Sequence, residues 1–104
     1  MQATSYTALW SDGDTAPLAG AIALDGTALS LEGCRAGRQA RRNISYDRIA
    51  SLRVGRANGE RLRGRTALVL ELVDGTTIRV ATPEPGVLHE LVETLTHELG
   101  KVKS

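Results

Sequence analysis

The stretch LVLELVDGTTIRVATPEPGVLHELVETLTHEL, residues 68–99, contains the change of hydrophobic period that decides the fold. Leu68, Leu70 and Leu72 recur at every second position, as the buried face of a β-strand requires. Ile78 and Val80 repeat the pattern after Asp74-Gly75. A two-residue loop would pair Leu70 with Arg79 and split the two apolar sets between opposite faces. A three-residue loop, Val73-Asp74-Gly75, pairs 72 with 76, 70 with 78 and 68 with 80, so that all four apolar side chains share one face. Gly75 then takes the left-handed position of a bulged turn. From Leu88 the period becomes helical: Leu88, Leu91, Val92, Leu95 and Leu99 fall on one stripe. Thr82 is expected to cap this helix, Pro83 to lie in its first turn and Gly100 to stop it.

Toward the N-terminus the pattern stays alternating. Residues 5–11 (SYTALWS) form a first strand with Tyr6 and Trp10 as packing residues, followed by turn chemistry in Ser11–Pro17. Residues 19–24 and 27–32 flank Asp25-Gly26, a two-residue hairpin signal that pairs 24 with 27 and 22 with 29. Residues 33–43 (GCRAGRQARRN) are expected as a Gly- and Arg-rich loop. In residues 44–54 (ISYDRIASLRV), Ile49 breaks the parity of Ile44 and Tyr46, which places a bend near Asp47-Arg48. Gly55–Glu60 is a further turn. If the next strand reaches back to Arg61, then Arg61, Arg63 and Arg65 line one exposed edge about 7 Å apart, with Val69 and Val73 on the same face. The sum is a single domain over residues 1–104. Its class is mainly β: a seven-stranded antiparallel sandwich or partly open barrel within about residues 5–82, capped by one C-terminal helix at about 83–99.

Composition narrows the class further. Of 104 residues, 41% are apolar and 24% charged, and there is one cysteine, so a disordered chain and a disulfide scaffold are excluded. Apolar stretches such as Ala67 to Leu70 fall far short of the ~20 residues of a membrane span. The N-terminus has no basic start and no long apolar centre, and acids appear by position 12, so it does not read as a signal peptide and a cytoplasmic location is expected. The net charge of +1 hides three blocks. Residues 1–34 carry −4, residues 35–65 carry ten arginines and a net +8, and residues 66–104 carry −3.

The residues ISYDRIASL (44–52), LVLELVDG (68–75) and TIRV (77–80), followed by the helix, resemble the bacterial branch of the pleckstrin-homology-like superfamily and the related GRAM modules. The resemblance covers about residues 18–99 and rests on pattern and spacing. It implies a sandwich or partly open barrel plugged by the helix, and a non-catalytic module that binds lipid headgroups, peptides or other domains. In many phosphoinositide-binding members the first hairpin loop is basic. Here Ser11–Ala19 carries Asp12 and Asp14 and no cation, so no residue transfers as a family ligand.

The residues themselves suggest no catalytic constellation and no cofactor. His89 and His97 stand about 80° apart around a helix, and Cys34 has no second cysteine to make a thiolate pair. Asp12/Asp14 shape a turn, and Glu90, Glu93 and Glu98 decorate a helix surface. The glycines lack the phosphate-loop pattern. The arginines remain, because guanidinium forks match phosphate, sulfate and carboxylate. The candidates for binding an anion or a partner are Arg35, Arg38, Arg41 and Arg42 in the first loop and Arg61, Arg63 and Arg65 on the later strand. The first reading is a protein-interaction or self-association module. The second is peripheral binding to an anionic membrane through the arginine loops. Nucleic-acid binding ranks third, because Tyr6, Trp10 and Tyr46 all fall in strands and the only clear helix is acidic.

Overall fold

The structure, a computed structural model, describes residues 4–13, 15–55, 57 and 60–103. Seven strands precede one helix: β1 (Thr4–Asp12), β2 (Leu18–Leu24), β3 (Ala28–Arg35), β4 (Arg38–Ser45), β5 (Ile49–Gly55), β6 (Ala67–Leu72), β7 (Thr77–Ala81) and α1 (Pro85–Lys103). They form one curled antiparallel sheet in the order β4-β3-β2-β1-β7-β6-β5, a half-barrel whose open edges are β4 and β5. β1 joins the two halves, pairing with β2 from Thr4↔Leu24 to Trp10↔Leu18 and with β7 from Leu9↔Ala81 to Asp12↔Ile78. The apolar stripe of α1, Leu88, Leu91, Leu95 and Leu99, packs into one core with Trp10, Ile22, Leu31, Leu70 and Val80 from the strands.

Several expected features are present. Leu68 pairs with Val80 and Leu70 with Ile78, the Leu72 amide donates to the Thr76 carbonyl at 2.9 Å, and Gly75 has φ +92°. The parity break at Ile49 is real, although its source is one turn of 3-10 helix at Tyr46–Arg48 that ends β4 and starts β5.

Other expectations are corrected. The second hairpin turns one residue later than Asp25-Gly26, so Ile22 pairs with Leu31 and Leu24 with Leu29. The cause is the Asp25 carboxylate, whose Oδ1 accepts from the amides of Thr27 at 2.7 Å and Ala28 at 2.9 Å. The amide that would have paired Thr27 with Leu24 is captured by the side chain. Residues 33–43 are mostly strand rather than loop. β3 and β4 meet across Ala36-Gly37, whose φ values of +53° and +79° make a two-residue primed turn.

No strand reaches back to Arg61. Arg63 and Gly64, at φ +51° and +79°, close a tight turn in which Leu62 and Arg65 exchange backbone hydrogen bonds of 3.0 and 2.9 Å. Leu62 thereby folds onto Ala67 and Ala81 on the outer side of the sheet. Val69 is only 1% exposed, so the expected Val69/Val73 strip reduces to Val73. The helix starts at Pro85, two residues later than expected. A proline disfavours helical geometry in the residue before it, so Glu84 cannot belong to the helix, and Pro85 takes its first position. The Thr82 hydroxyl donates to the Glu84 carbonyl at 2.7 Å instead of capping an amide. The helix also runs through Gly100. Of the turns expected around Ser11–Pro17 and Gly55–Glu60, Asp14, Arg56, Asn58 and Gly59 lie outside the described residues.

The Asp25 turn carries a pH dependence. Its carboxyl is held below the ordinary value of 3.8, first by the Thr27 and Ala28 amides and then by the Thr27 hydroxyl. The Thr76 amide and hydroxyl act likewise on Asp74. A depressed folded-state pKa contributes stability that is present above the unfolded value and lost as the pH falls through the folded one. The melting temperature is therefore expected to drop below about pH 4. The Asp25→Asn variant should show a shallower drop in circular-dichroism melts from pH 2 to 7. An identical acid slope in the two proteins would contradict this account.

Candidate functional site

The arginines of the basic block fall in two separate places. On the β3–β4 hairpin the pairs Leu29↔Ile44, Leu31↔Arg42, Gly33↔Ala40 and Arg35↔Arg38 share one face, the one that enters the core. Arg42 thus runs along the inner face and forms an ion pair with Asp12 of β1. Arg41 points to the other face, opposite Glu32, at 3.6 Å. Arg35 and Arg38 stand directly opposite each other beside the turn, and among the described residues neither has a carboxylate within ion-pair distance. Cys34 is exposed on β3, not in a loop, and stands opposite Gln39.

The second arginine group does not form a row. Arg65 donates to the Thr82 carbonyl at 3.3 Å, Arg61 also has a partner, and Arg63 is exposed at the tip of its turn. Nor do the two groups converge. Arg42 lines a cleft of about 330 Å³ with Arg48, Leu72, Val73 and Asp74, at the C-terminal end of β6. Arg61–Arg65 leads into Ala67 at the other end of that strand, about 17 Å away at 3.3 Å per residue. Arg48 is a cation the sequence did not single out, and it and Arg42 both favour ionised Asp74. Two acids, Asp12 and Asp74, therefore offset the positive charge of this cleft.

The geometry adds a site that no sequence motif marked. β5 is an open edge, and its inner side chains Leu52 and Val54 are only half-buried. Between this edge and the start of α1 runs a groove of about 630 Å³, lined by Val54, Pro83, Leu88 and Val92 with Arg65 and His89 at its rim. That volume lies within the ~300–1,000 Å³ usual for ligand sites. The two edges of the sheet differ sharply. β4 carries Arg38, Arg41 and Arg42, and charge on an edge discourages strand addition. β5 carries one charge, Arg53, which is paired with Glu60 and Glu71. Next to it the small, exposed Ala50 and Ser51 leave the backbone uncovered.

Among the described residues no group of three or more His, Cys, Asp or Glu is placed to hold a metal ion, and no helix is long and apolar enough to cross a membrane. The class these features define is a mainly β protein, one curled seven-stranded sheet closed by a C-terminal helix. No protein-family model matches the chain, and no curated protein matches it. Among solved structures it is similar to the C-terminal domain of an unknown protein from Leishmania infantum, with a TM-score of 0.68 and 17% identity over 92% of this chain and 81% of that one. It is also similar to a chain of the 8S snRNP assembly intermediate, with a TM-score of 0.73 and 12% identity over 96% of this chain and 81% of that one. At such identities the likeness is one of fold.

Proposed function

We propose that the chain is a pleckstrin-homology-like, non-catalytic interaction module that makes protein–protein contact through the open edge of β5. The observation that carries this reading is the contrast between the two sheet edges. An unpaired strand presents a row of amides and carbonyls ready to accept another strand. β4 carries three arginines and holds Arg38 directly opposite Arg35, whereas the one charge of β5, Arg53, is paired with Glu60 and Glu71, and the irregularity in its pairing is confined to Ile49–Ser51. The aromatic side chains support a protein partner over a single-stranded nucleic acid, since Tyr6, Trp10 and Tyr46 are all buried and offer no stacking platform.

A photo-crosslinking amino acid placed at Ala50 tests the reading in the native cell. Discrete protein adducts are expected from Ala50, and none from the same group at Thr7, which is exposed on the central strand β1. Absence of adducts at Ala50 would remove the reading.

A second reading has its own observation. Like charges directly opposite on a sheet destabilise by ~0.2–1 kcal/mol, and Arg35↔Arg38 is such a pair. An anionic membrane surface would convert that repulsion into binding, at about 1 kcal/mol per cation. The double variant Arg35→Gln/Arg38→Gln should fold at least as stably as wild type and should lose co-sedimentation with anionic vesicles. If wild-type protein fails to sediment with anionic vesicles even at low salt, this second reading falls.

A further inference from the structure

The groove between β5 and α1 is walled mainly by apolar side chains, unlike the concavities beside β3 and β4. Val54 lines it from β5, Leu88 and Val92 from α1, and Pro83 and Pro85 from the chain that leads into the helix. From Pro85 to Val92 the helix supplies about 10 Å of wall at 1.5 Å per residue. Two of the polar side chains on the walls are already engaged. The Thr82 hydroxyl donates to the Glu84 carbonyl at 2.7 Å, and His89 Nε2 stands 3.0 Å from the Glu93 carboxylate. Arg65 is exposed and places one guanidinium nitrogen on the Thr82 carbonyl at 3.3 Å, and its fork has further N–H donors. From this arrangement we infer that the groove binds a free single-chain carboxylate, its hydrocarbon tail laid along Val54, Leu88 and Val92 and its head on the Arg65 guanidinium.

The walls select the tail. A nucleotide or a sugar would bring hydroxyls and amides against valine, leucine and proline, and a polar group buried without a partner costs free energy. A methylene chain carries no such group, and its burial is favourable in proportion to the apolar area removed from water. Charge selects the head. Among the described residues no carboxylate lines the groove, so a cationic head would meet Arg65 with nothing to offset it. A carboxylate is planar and accepts from the guanidinium fork through both oxygens. This binding uses side chains and not the pairing groups of the β5 backbone. Crosslinking at Ala50 therefore reports on the edge of the sheet, and the two readings fail separately.

The test titrates the isotope-labelled full chain with hexanoate, octanoate and decanoate below their micelle concentrations, followed by amide NMR. Decanoate should shift the amides of Val54, Leu88 and Val92 and leave those of Arg35 and Arg38 in place. Affinity should rise about two- to fourfold per added methylene, fourfold being the equivalent of the ~0.8 kcal/mol of a fully buried CH2. Arg65→Gln should weaken octanoate roughly tenfold, as for loss of a charged hydrogen bond, and leave octanol unchanged. Val92→Glu, which sets a carboxylate in the wall, should remove decanoate binding. Circular-dichroism melts check that this variant folds, and Val54→Glu takes its place if it does not. The map and the chain-length series in the wild-type protein decide the matter whatever the variants do. No shifts at millimolar decanoate, shifts centred on Arg35 and Arg38, or equal affinity along the series would overturn the inference. So would octyltrimethylammonium binding as tightly as octanoate.

Discussion

Replacing Gly20 by alanine is expected to abolish cooperative folding. Gly20 on β2 stands directly opposite Gly33 on β3. A Cβ at position 20 would fall on the Glu32 carbonyl oxygen and 2.5 Å from the Gly33 Cα. These are backbone atoms of the neighbouring strand and cannot rotate away. Opening the β2–β3 spacing would also pull the Glu32 carbonyl from the Trp10 indole, which donates to it at 2.9 Å. The loss should exceed about 4 kcal/mol, at the far end of single-substitution effects, and should consume most of a net stability of ~5–15 kcal/mol. Gly86 supplies the control. A Cβ there meets nothing within 4 Å, and Gly86→Ala in the first turn of α1 should be neutral or stabilising by up to about 1 kcal/mol. Urea unfolding of both variants makes the comparison, and a Gly20→Ala protein that unfolds within about 1 kcal/mol of wild type would refute the close-approach account.

Truncating Trp10 to alanine should have the next largest effect, a loss of about 3–5 kcal/mol. Trp10 is 2% exposed and, like Leu9 beside it, pairs with both halves of the sheet, opposite Leu18 of β2 and Val80 of β7. Its ring also lies against Gly33, where an added Cβ would come within 2.9 Å of the indole nitrogen. Removing the ring leaves a void shared by three strands and takes away the indole donor to the Glu32 carbonyl. Trp10→Phe separates the two effects. It keeps most of the apolar volume and removes only the donor, so about 1–3 kcal/mol should be lost. Equal losses in the two variants would mean that the hydrogen bond, not the packing, dominates.

A polar lock on the same core arises at Tyr46. Its side chain is fully buried, and its hydroxyl donates to the Asp25 carbonyl at 2.5 Å. Burial, with Glu98 and Asp25 nearby, pushes its pKa up to about 12. Nothing in ISYDRI marked this bond, because the acceptor is a backbone atom 21 residues away. Tyr6 and Trp10, by contrast, were recognisable as packing residues from their even spacing along one strand.

The legible parts of this protein are those where a short segment holds its own physical cause. The 72–76 turn follows from Gly75 and from the parity of leucines that a single register can unite, and the apolar stripe of α1 follows from its spacing. β4 was illegible because its inner positions are Ala40, Arg42 and Ile44. That pattern looks like loop until β3 lies beside it and supplies the backbone partners. Likewise the guanidiniums of Arg61, Arg63 and Arg65 formed a row only on the assumption of a continuous strand. Arg63 and Gly64 instead enter left-handed conformations, and the turn carries Leu62 over the outer face of the sheet. Strand type, helix face and charge blocks were thus determined by the chain's local pattern. Which strands became edges was decided only when β1 paired with β7, a contact between segments some 70 residues apart. The groove beside β5 exists because that pairing leaves β5 last in the sheet and brings α1 across from it, and no local property of residues 49–55 records either event.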